Sequence, residues 1–379
     1  MEITFSTTPD GIELQRNPSV FKINLIKRVF LPLMEEWFNG ILNGLKDADL
    51  LIVSVMSIIP ALSCLQKSEK TKAIGIFSYP CLRTNEFAPP ALSGKSESSF
   101  NWVNSMKWKM FEYGAASMYT DTINQLRAKH NLPPVNLRYE QLVEAAVNKQ
   151  MITATIYSKY LIPRPADWAE NHLLVGPIFE PQTDQIPTIP SDLEEILDKW
   201  ANEKIIYVGI GSMMSIMFGK NEQMQFLGQI QSCLRQMKIK TIFSLVGFQD
   251  LDQNSPTNEE SIFYLKQTIP HSWLFPKISA AIHHGGAGTT HASLRHGLPT
   301  LILPFGADQP FNADRVALNR LGPKPIPIKE LTVNKLTAAI QDLLDNFTLY
   351  RNNARKIGPL MESEDGLERC IQIIEKELI

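Results

Sequence analysis

The 379-residue chain is long enough to form two domains, each with a full hydrophobic core. Apolar residues make up 44% of the sequence and charged residues 20%, which is typical of globular proteins. The net charge of −2 argues against a nucleic-acid-binding protein, because binding to phosphates needs clustered Lys and Arg side chains.

The cysteines and the N-terminal residues predict a cytoplasmic location. Cys64, Cys81, Cys233 and Cys370 are scattered, without CxxC spacing, which indicates reduced thiols. The first residues lack the basic and apolar segments of a secretory signal. The longest uncharged stretch, residues 50–66, contains serines and a proline and is short for a bilayer span. Peripheral membrane contact stays open.

Apolar runs and helical patterns alternate through the first half of the chain, which predicts an α/β protein with parallel sheets. Strands are predicted at 50–55 and 73–77, with a short helix over 60–66 between them, and a long helix is predicted over 101–130. Four large apolar residues lie near one face of the long helix: Trp102, Met106, Met110 and Tyr113. Such a stripe predicts packing against the core.

A proline-rich stretch separates the two halves and predicts a linker. Directly after it, Ser191 and Glu194 have the spacing of a helix capping box, which indicates the start of a new domain. The predicted organisation is a first domain over 1–178, a linker over 179–190, a second domain over 191–362 and a C-terminal helix over 363–379 that docks on the first domain.

The second half is more regular. Predicted strands are 204–208, 241–246, 279–283 and 300–304, and predicted helices are 222–237, 288–296 and 310–321. The first of these strands ends in GIGSM, and glycines there let the backbone approach a ligand closely. Ser212 could then donate its hydroxyl to a phosphate, although a plain tight turn explains the same pattern. Met214 occupies the last position of GxGxxG, so a nicotinamide-binding loop is not predicted.

The segment HHGGAGTT, residues 283–290, carries the strongest signal. A strand ends in two histidines, glycines turn the chain, and a helix begins whose free N–H groups suit a diphosphate. His284 could donate a hydrogen bond to a phosphate, and Thr289 and Thr290 could add hydroxyl donors. Zinc is not predicted, because neighbouring strand residues point in opposite directions and no further ligand lies at the required spacing.

Two further features flank this segment. Asp308 and Gln309 follow the strand at 300–304 and could bracket neighbouring sugar hydroxyls, while helix capping by Asp308 is the simpler alternative. Trp273 precedes the histidine strand and could stack on a flat base, while core packing is its alternative.

Together these blocks resemble the donor-binding signature of UDP-sugar glycosyltransferases, most closely that of the sterol 3-beta-glucosyltransferases. The WxxP, HHGGAGTT and PFxxDQ blocks occur in order at 273–276, 283–290 and 304–309, and GSM at 211–213 resembles the family's GSM loop. The likeness extends more weakly through 163–168 and 132–134. It implies the GT-B fold, with two facing Rossmann-like domains and parallel sheets, the first on the acceptor side and the second binding UDP-glucose.

The resemblance also implies a donor site and a reaction. At uracil, the resemblance implies Trp273 and Leu274. The diphosphate would contact His284, Gly286, Gly288 and Thr289, with Gly211 and Ser212 on the opposite loop. The glucose hydroxyls would contact Asp308 and Gln309. The implied reaction is an inverting transfer of glucose from UDP-glucose, the co-substrate, to the 3-hydroxyl of a sterol. It needs a general base, but no metal and no other cofactor.

One part of the family pattern is missing. The family's general base lies in a GDVxP-type loop of its first strand–loop–helix unit, and no such loop occurs here, so no catalytic base is predicted. The first domain is therefore expected to be incomplete. Two alternatives stay open: a UDP-sugar-binding pseudoenzyme, and a glucosyltransferase for another lipophilic acceptor. Ala292 replaces the ribose-binding Glu of the plant small-molecule enzymes, which favours the sterol type.

Overall fold

The computed structural model of the protein describes residues 10, 23–65, 67–68, 70–92, 100–135, 151–179, 189–248 and 256–379. The chain divides into two compact units. The first unit contains residues 1–159, 163–176 and 365–379, and the second contains 160–162 and 177–364. Most of the predicted linker, residues 180–188, lies outside the described residues.

A parallel sheet forms the centre of the first unit. Its strands, β1 (Leu50–Val53), β2 (Lys72–Phe77), β3 (Met151–Thr155) and β4 (His172–Leu174), lie in sequential order. Its helices are α1 (Ile23–Gly44), α2 (Ile58–Leu65) and α3 (Asn101–Lys129), together with the C-terminal helix Gly366–Leu378. Cys370 of that terminal helix packs with Ala154 and Val175 of the sheet region. Cys370 and Ile373 thus join the terminal helix to the core of the first unit, whereas Leu367, Ile371 and Leu378 of the same helix are exposed.

The predicted core stripe of α3 is wrong. Its four members are 46–67% exposed: Trp102, Met106, Met110 and Tyr113. The core face of α3 instead carries Trp108, which is 2% exposed and donates its indole N–H to the Phe87 carbonyl at 2.8 Å. Large apolar residues occur on more than one side of this helix, so their spacing alone does not identify the buried side.

Segment 163–168, which carries the weaker part of the family likeness, is hydrogen-bonded to residues 84 and 85 of the first unit. The Asp167 carboxylate accepts hydrogen bonds from the Thr84 hydroxyl and the Asn85 N–H, both at 2.7 Å. The Arg164 guanidinium donates to backbone carbonyls of the same turn, including that of Ala169 at 2.6 Å. Both groups therefore have structural partners.

The second unit contains a parallel sheet with the order β7-β6-β5-β8-β9. Its strands are β5 (Ile206–Gly209), β6 (Thr241–Ser244), β7 (Ile262–Leu265), β8 (Ala280–His283) and β9 (Thr300–Ile302). Its helices are α4 (Ser191–Lys199), α5 (Met213–Met217), α6 (Lys220–Met237), α7 (His271–Leu274), α8 (Ala287–Arg295), α9 (Gln309–Leu318), α10 (Val333–Asp345) and α11 (Phe347–Glu362). The predicted strands and helices of this half are confirmed, with shifts of a few residues at their ends.

Helix α4 begins differently from the prediction. Pro190 is its N-cap, and Ser191 is already its first helical residue. The Pro190 carbonyl accepts the N–H groups of Leu193 and Glu194. The predicted capping box of Ser191 and Glu194 is therefore wrong, because the extended backbone of Pro190 starts the helix one residue earlier.

Two apolar clusters cover the second sheet. One includes Val208, Phe243 and Ile282 and extends to Leu336 and Ile340 of α10. The other joins the sheet to Leu193 and Trp200 around α4, and to Leu274 and Phe275. The strands are buried along their whole length, as expected for a parallel sheet with helices on both faces. The loops at the strand ends therefore rest on a rigid base.

All four cysteines lie in the described part of the chain, and each is a free thiol. Burial raises the pKa of Cys81 to about 12, which disfavours its reactive thiolate form. Within the described ranges, no helix is both long enough and apolar enough to cross a bilayer.

Candidate functional site

The strand order of the second unit reverses between β5 and β8. From β5 the chain continues outward to β6 and β7, whereas β8 and β9 lie on its other side. Gly209, the last residue of β5, pairs with His283, the last residue of β8. The loops that follow these two strands therefore diverge from neighbouring points, which makes the crevice in which ligands of open α/β sheets bind.

His284 lies at the centre of this crevice. A Cβ atom added to Gly211 would lie 2.5 Å from its Cε1, and one added to Gly286 would lie 2.6 Å from its Nε2. Both glycines thus let the backbone approach the imidazole closely. Phe305 lies beyond, with its ring centroid 5.9 Å from that of His284. Three predicted site residues, Gly211, His284 and Gly286, are therefore brought together.

The buried imidazole of His284 favours its neutral form. Burial lowers its pKa to about 4, and His271 adds to this effect, whereas a hydrogen bond to the Gly209 carbonyl opposes it. Its Nδ1 atom is buried without a hydrogen-bond partner. A neutral imidazole retains one N–H donor and one acceptor, so His284 has hydrogen-bonding capacity that the protein does not use.

The preceding histidine has a structural role. His283 is fully buried, and its Nδ1 accepts the Gly285 N–H at 3.0 Å. This bond places the proton on Nε2, which faces the Ser293 hydroxyl at 3.4 Å. The alternation of side chains along a strand therefore sends one histidine into the core and its neighbour into the crevice.

The glycine turn leads directly into helix α8. Gly286 is its N-cap, so Gly288 and Thr289 are its second and third helical residues. The first N–H groups of a helix have no intrahelical carbonyl, and a Cβ added to Gly288 would meet no protein atom within 4 Å. The hydroxyl of Thr290 instead donates to the Gly286 carbonyl at 2.9 Å and is buried. The prediction of Thr290 as a ligand donor is therefore wrong, while that of Thr289 stays open.

Asp308 does not cap its own helix. It is the N-cap residue of α9, but its side chain makes no capping hydrogen bond there. Its carboxylate accepts the Asn312 amide at 2.9 Å and the backbone N–H of Ala287. Burial raises the pKa of Asp308, and its hydrogen bonds counteract this. The capping alternative is thus wrong, and the carboxylate stands between α9 and the first turn of α8.

Two other predicted residues are partly engaged. Gln309 is buried, and its Oε1 accepts the Phe305 N–H at 2.7 Å, so this oxygen shapes the turn after β9. Ser212 is exposed and is the N-cap of α5, where its side chain makes no capping hydrogen bond. Of these two side chains, that of Ser212 is the more accessible to a ligand.

Trp273 and Leu274 lie on the short helix α7. Leu274 is 1% exposed and belongs to the core, so contact between its side chain and a ligand is excluded in this conformation. Trp273 is half-buried, packs against the same cluster, and has the Lys277 ammonium 4.7 Å from its ring centroid. The stacking role of Trp273 stays a prediction.

Sequence reasoning missed one residue of this region, Asn312. Its amide donates to the Gly285 carbonyl at 2.8 Å and to Asp308 at 2.9 Å. The i, i+4 spacing of Asp308 and Asn312 on one helix could have revealed it. Among the described residues, no three His, Cys, Asp or Glu side chains are arranged to hold a metal ion.

Several known proteins are similar to this chain. Residues 259–375 match the C-terminal domain family described as erythromycin biosynthesis protein CIII-like. The sterol 3-beta-glucosyltransferase UGT80A2 of Arabidopsis thaliana is 31% identical over 80% of this chain and 44% of its own length. That of Pichia angusta is 29% identical over 88% of this chain and 26% of its own length. This chain is a homologue of the sterol 3-beta-glucosyltransferases. It spans less than half the length of these relatives.

Solved structures show the fold of this homologue. The glycosyltransferase of kitacinnamycin superposes with a TM-score of 0.64 and 15% identity, covering 98% of this chain and 84% of the other. The calicheamicin glycosyltransferase CalG4 superposes with a TM-score of 0.61 and 17% identity, covering 97% of this chain and 83% of the other. The predicted GT-B class of fold, with Rossmann-like parallel sheets, is confirmed.

Proposed function

We propose that this chain contributes to a glucosyltransferase that moves glucose from UDP-glucose to the 3-hydroxyl of a sterol, with inversion at the anomeric carbon. The observation that carries the proposal is the position of His284. Its imidazole lies between the loop after β5 and the glycine turn before α8, at the switch point of the sheet. The similarity to sterol 3-beta-glucosyltransferases supports the acceptor class.

In this proposal, the second unit binds the donor. The positive end of the α8 dipole and the N–H groups of Gly288 and Thr289 face the diphosphate. The neutral His284 donates a further hydrogen bond from Nδ1, in the tautomer that gives up the bond to the Gly209 carbonyl and carries its one proton on Nδ1. Ser212 contributes from the opposite loop, and Trp273 stacks on uracil. The side chains of Asp308 and Gln309 hold glucose hydroxyls. The donors to the diphosphate, namely the N–H groups of Gly288 and Thr289 together with His284, stabilise the negative charge that develops on the leaving UDP.

The reaction is a single displacement. The sterol oxygen forms a bond to the anomeric carbon while the bond from that carbon to the UDP oxygen breaks. The sterol proton passes to a general base, to which we assign no residue of this chain. UDP-glucose is a co-substrate in this scheme, and we expect transfer to be insensitive to a metal chelator.

Calorimetry with UDP and with UDP-glucose, followed by a transfer assay with ergosterol or sitosterol on the same sample, tests the proposal. Binding together with transfer supports it in full. Binding without transfer favours a UDP-sugar-binding protein that lacks turnover, and transfer to another lipophilic acceptor instead of a sterol changes the acceptor class. Absence of binding to the folded protein rejects the donor site.

A further inference from the structure

We propose that Asn312 is a positioning residue that links the sugar-side carboxylate of Asp308 to the phosphate-side turn at Gly285. The inference rests on the proposed function for its consequence in binding, but the link itself lies within the described residues. A single side-chain amide joins the loop after β8 to the start of α9.

The first half of the link is the bond to Gly285. Asn312 is fully buried, and its Nδ2 donates to the Gly285 carbonyl at 2.8 Å. The N–H of Gly285 donates to His283 at 3.0 Å, so both polar groups of this residue are held. Gly285 has a φ of +90°, and a Cβ there would lie 2.5 Å from Ile302. The turn that aims Gly286 and the start of α8 is thus fixed from two sides.

The second half of the link is the bond to Asp308. The same Nδ2 donates to Asp308 Oδ2 at 2.9 Å. Asp308 also accepts the N–H of Ala287, the first helical residue of α8. The carboxylate, the amide and the turn therefore close a ring of hydrogen bonds between two loops. Each member restricts the rotation of the next.

This ring has an electrostatic consequence. Desolvation raises the pKa of Asp308, and the hydrogen bond from Asn312 is one of the contacts that oppose this shift. A donor to a buried carboxylate favours its ionised form, and its loss leaves a buried charge with less compensation. Asn312 thus orients the group that is proposed to accept hydrogen bonds from the sugar hydroxyls, and it contributes to stabilising the ionised form of that group.

The test is a double-mutant cycle with Asn312→Ala, Asp308→Ala and the combined variant, using UDP-glucose and UDP as ligands. We expect Asn312→Ala to weaken UDP-glucose binding about tenfold or more, with a smaller loss for UDP. In the combined variant, the two losses should not multiply, because each substitution breaks the same ring. Unchanged UDP-glucose affinity in the folded Asn312→Ala protein, or independent losses, would overturn the proposal.

The second readout needs no ligand. Carbon NMR of labelled aspartate carboxyls, with the Asp308 signal assigned from Asp308→Asn, should show a higher pKa for Asp308 in Asn312→Ala than in the unmodified protein. An unchanged pKa would reject the link even if UDP-glucose binds. A raised pKa in a protein that fails to bind UDP would support the link and reject the proposed function instead.

Asn104→Ala is the matched control. Asn104 is also a buried asparagine, 2% exposed, whose Nδ2 donates to a backbone carbonyl, that of Asn85 at 3.1 Å. It belongs to the first unit. We expect this variant to lose stability while it keeps the donor affinity and the pKa of Asp308. If Asn104→Ala and Asn312→Ala lost similar amounts of donor affinity, the effect of Asn312 would be that of any buried amide, and the proposal would be overturned.

Discussion

Gly211 and His284 are in such close contact that a side chain at position 211 would overlap the imidazole. A Cβ there would lie 2.5 Å from Cε1 and 2.7 Å from Nδ1 of His284. Gly211 also has a φ of +78°, a conformation that costs other residues about 1 kcal/mol or more. The first prediction is that Gly211→Ala displaces the ring, lowers the free energy of unfolding by about 1–3 kcal/mol and weakens UDP binding. Urea unfolding and calorimetry measure the two effects.

Gly228→Ala is the control for this prediction. Gly228 lies inside α6, and a Cβ there would meet no atom within 4 Å. We expect a gain in stability of up to about 1 kcal/mol from helix propensity, with UDP affinity unchanged. Normal UDP affinity of folded Gly211→Ala would contradict the role of the Gly211–His284 contact.

The second prediction concerns Gly288, whose position separates folding from binding. No protein atom lies within 4 Å of a Cβ added there, and the residue is exposed at the start of α8. Gly288→Ala should therefore keep or slightly raise the free energy of unfolding. If the phosphate lies against this turn, the added methyl should weaken UDP binding about tenfold, or about 1.4 kcal/mol. Calorimetry on the fully folded variant measures this, and unchanged affinity would place the phosphate elsewhere.

The sequence was sufficient to predict four of the five strands of the second unit and the helices that follow β5, β8 and β9, but not β7, α10 or α11. Buried parallel strands read as continuous apolar runs, and the glycines and Pro310 mark the helix starts on either side of β9. The alternation along β8 correctly predicted that His283 and His284 point in opposite directions, the first into the core and the second into the crevice. These are local rules, and they hold where the chain is regular.

Features that depend on tertiary contacts were not predictable. The hydroxyl of Thr290 and the amide oxygen of Gln309 bind backbone groups of their own loops, which residue type does not reveal. The Asp308 carboxylate accepts the N–H of Ala287 on α8 in addition to the Asn312 amide of its own helix, because the two loops meet. In α3, spacing placed Trp102 in the core, whereas Trp108 occupies it.

The third prediction contrasts the two neighbouring histidines. His284→Ala removes a ring that bonds to the Gly209 carbonyl but whose Nδ1 atom has no hydrogen-bond partner. We therefore expect weaker UDP binding, with a smaller change in stability than in His283→Ala. His283→Ala leaves the buried Gly285 N–H without its acceptor and opens a cavity, which should cost about 2–4 kcal/mol of stability. Thermal unfolding and calorimetry on both variants separate the roles. A large stability loss in His284→Ala with unchanged UDP affinity would assign that ring to the core.

The fourth prediction concerns Asp308 and the sugar. Asp308→Ala should weaken the binding of UDP-glucose more than that of UDP, since only UDP-glucose presents hydroxyls to the carboxylate. Asp308→Asn keeps the side-chain volume but places an amide opposite the amide of Asn312, and we expect it to behave similarly. Equal losses for the two ligands would mean that Asp308 acts only on the helix start at Ala287.

The fifth prediction is a loss of stability in mild acid. Burial lowers the pKa of His271, His284 and His291 to about 4 in the folded protein, whereas a histidine in the unfolded chain titrates near 6.5. Between these values the unfolded state binds more protons, so the free energy of unfolding must fall as the pH decreases from about 6.5 towards 4. Each such histidine contributes at most about 1.4 kcal/mol per pH unit.

Urea unfolding at pH 7, 6 and 5, followed by tryptophan fluorescence, measures this loss. His291 tests its origin, because its Nδ1 lies 2.7 Å from the Ala287 carbonyl and its ring is buried. His291→Gln removes one ionisable group, so the fall in unfolding free energy between pH 7 and 5 should be smaller in this variant than in the unmodified protein. A stability that is constant over this range, or that rises in acid, would mean that these histidines are protonated in the folded state. The neutral form of His284 in the donor site would then be wrong as well.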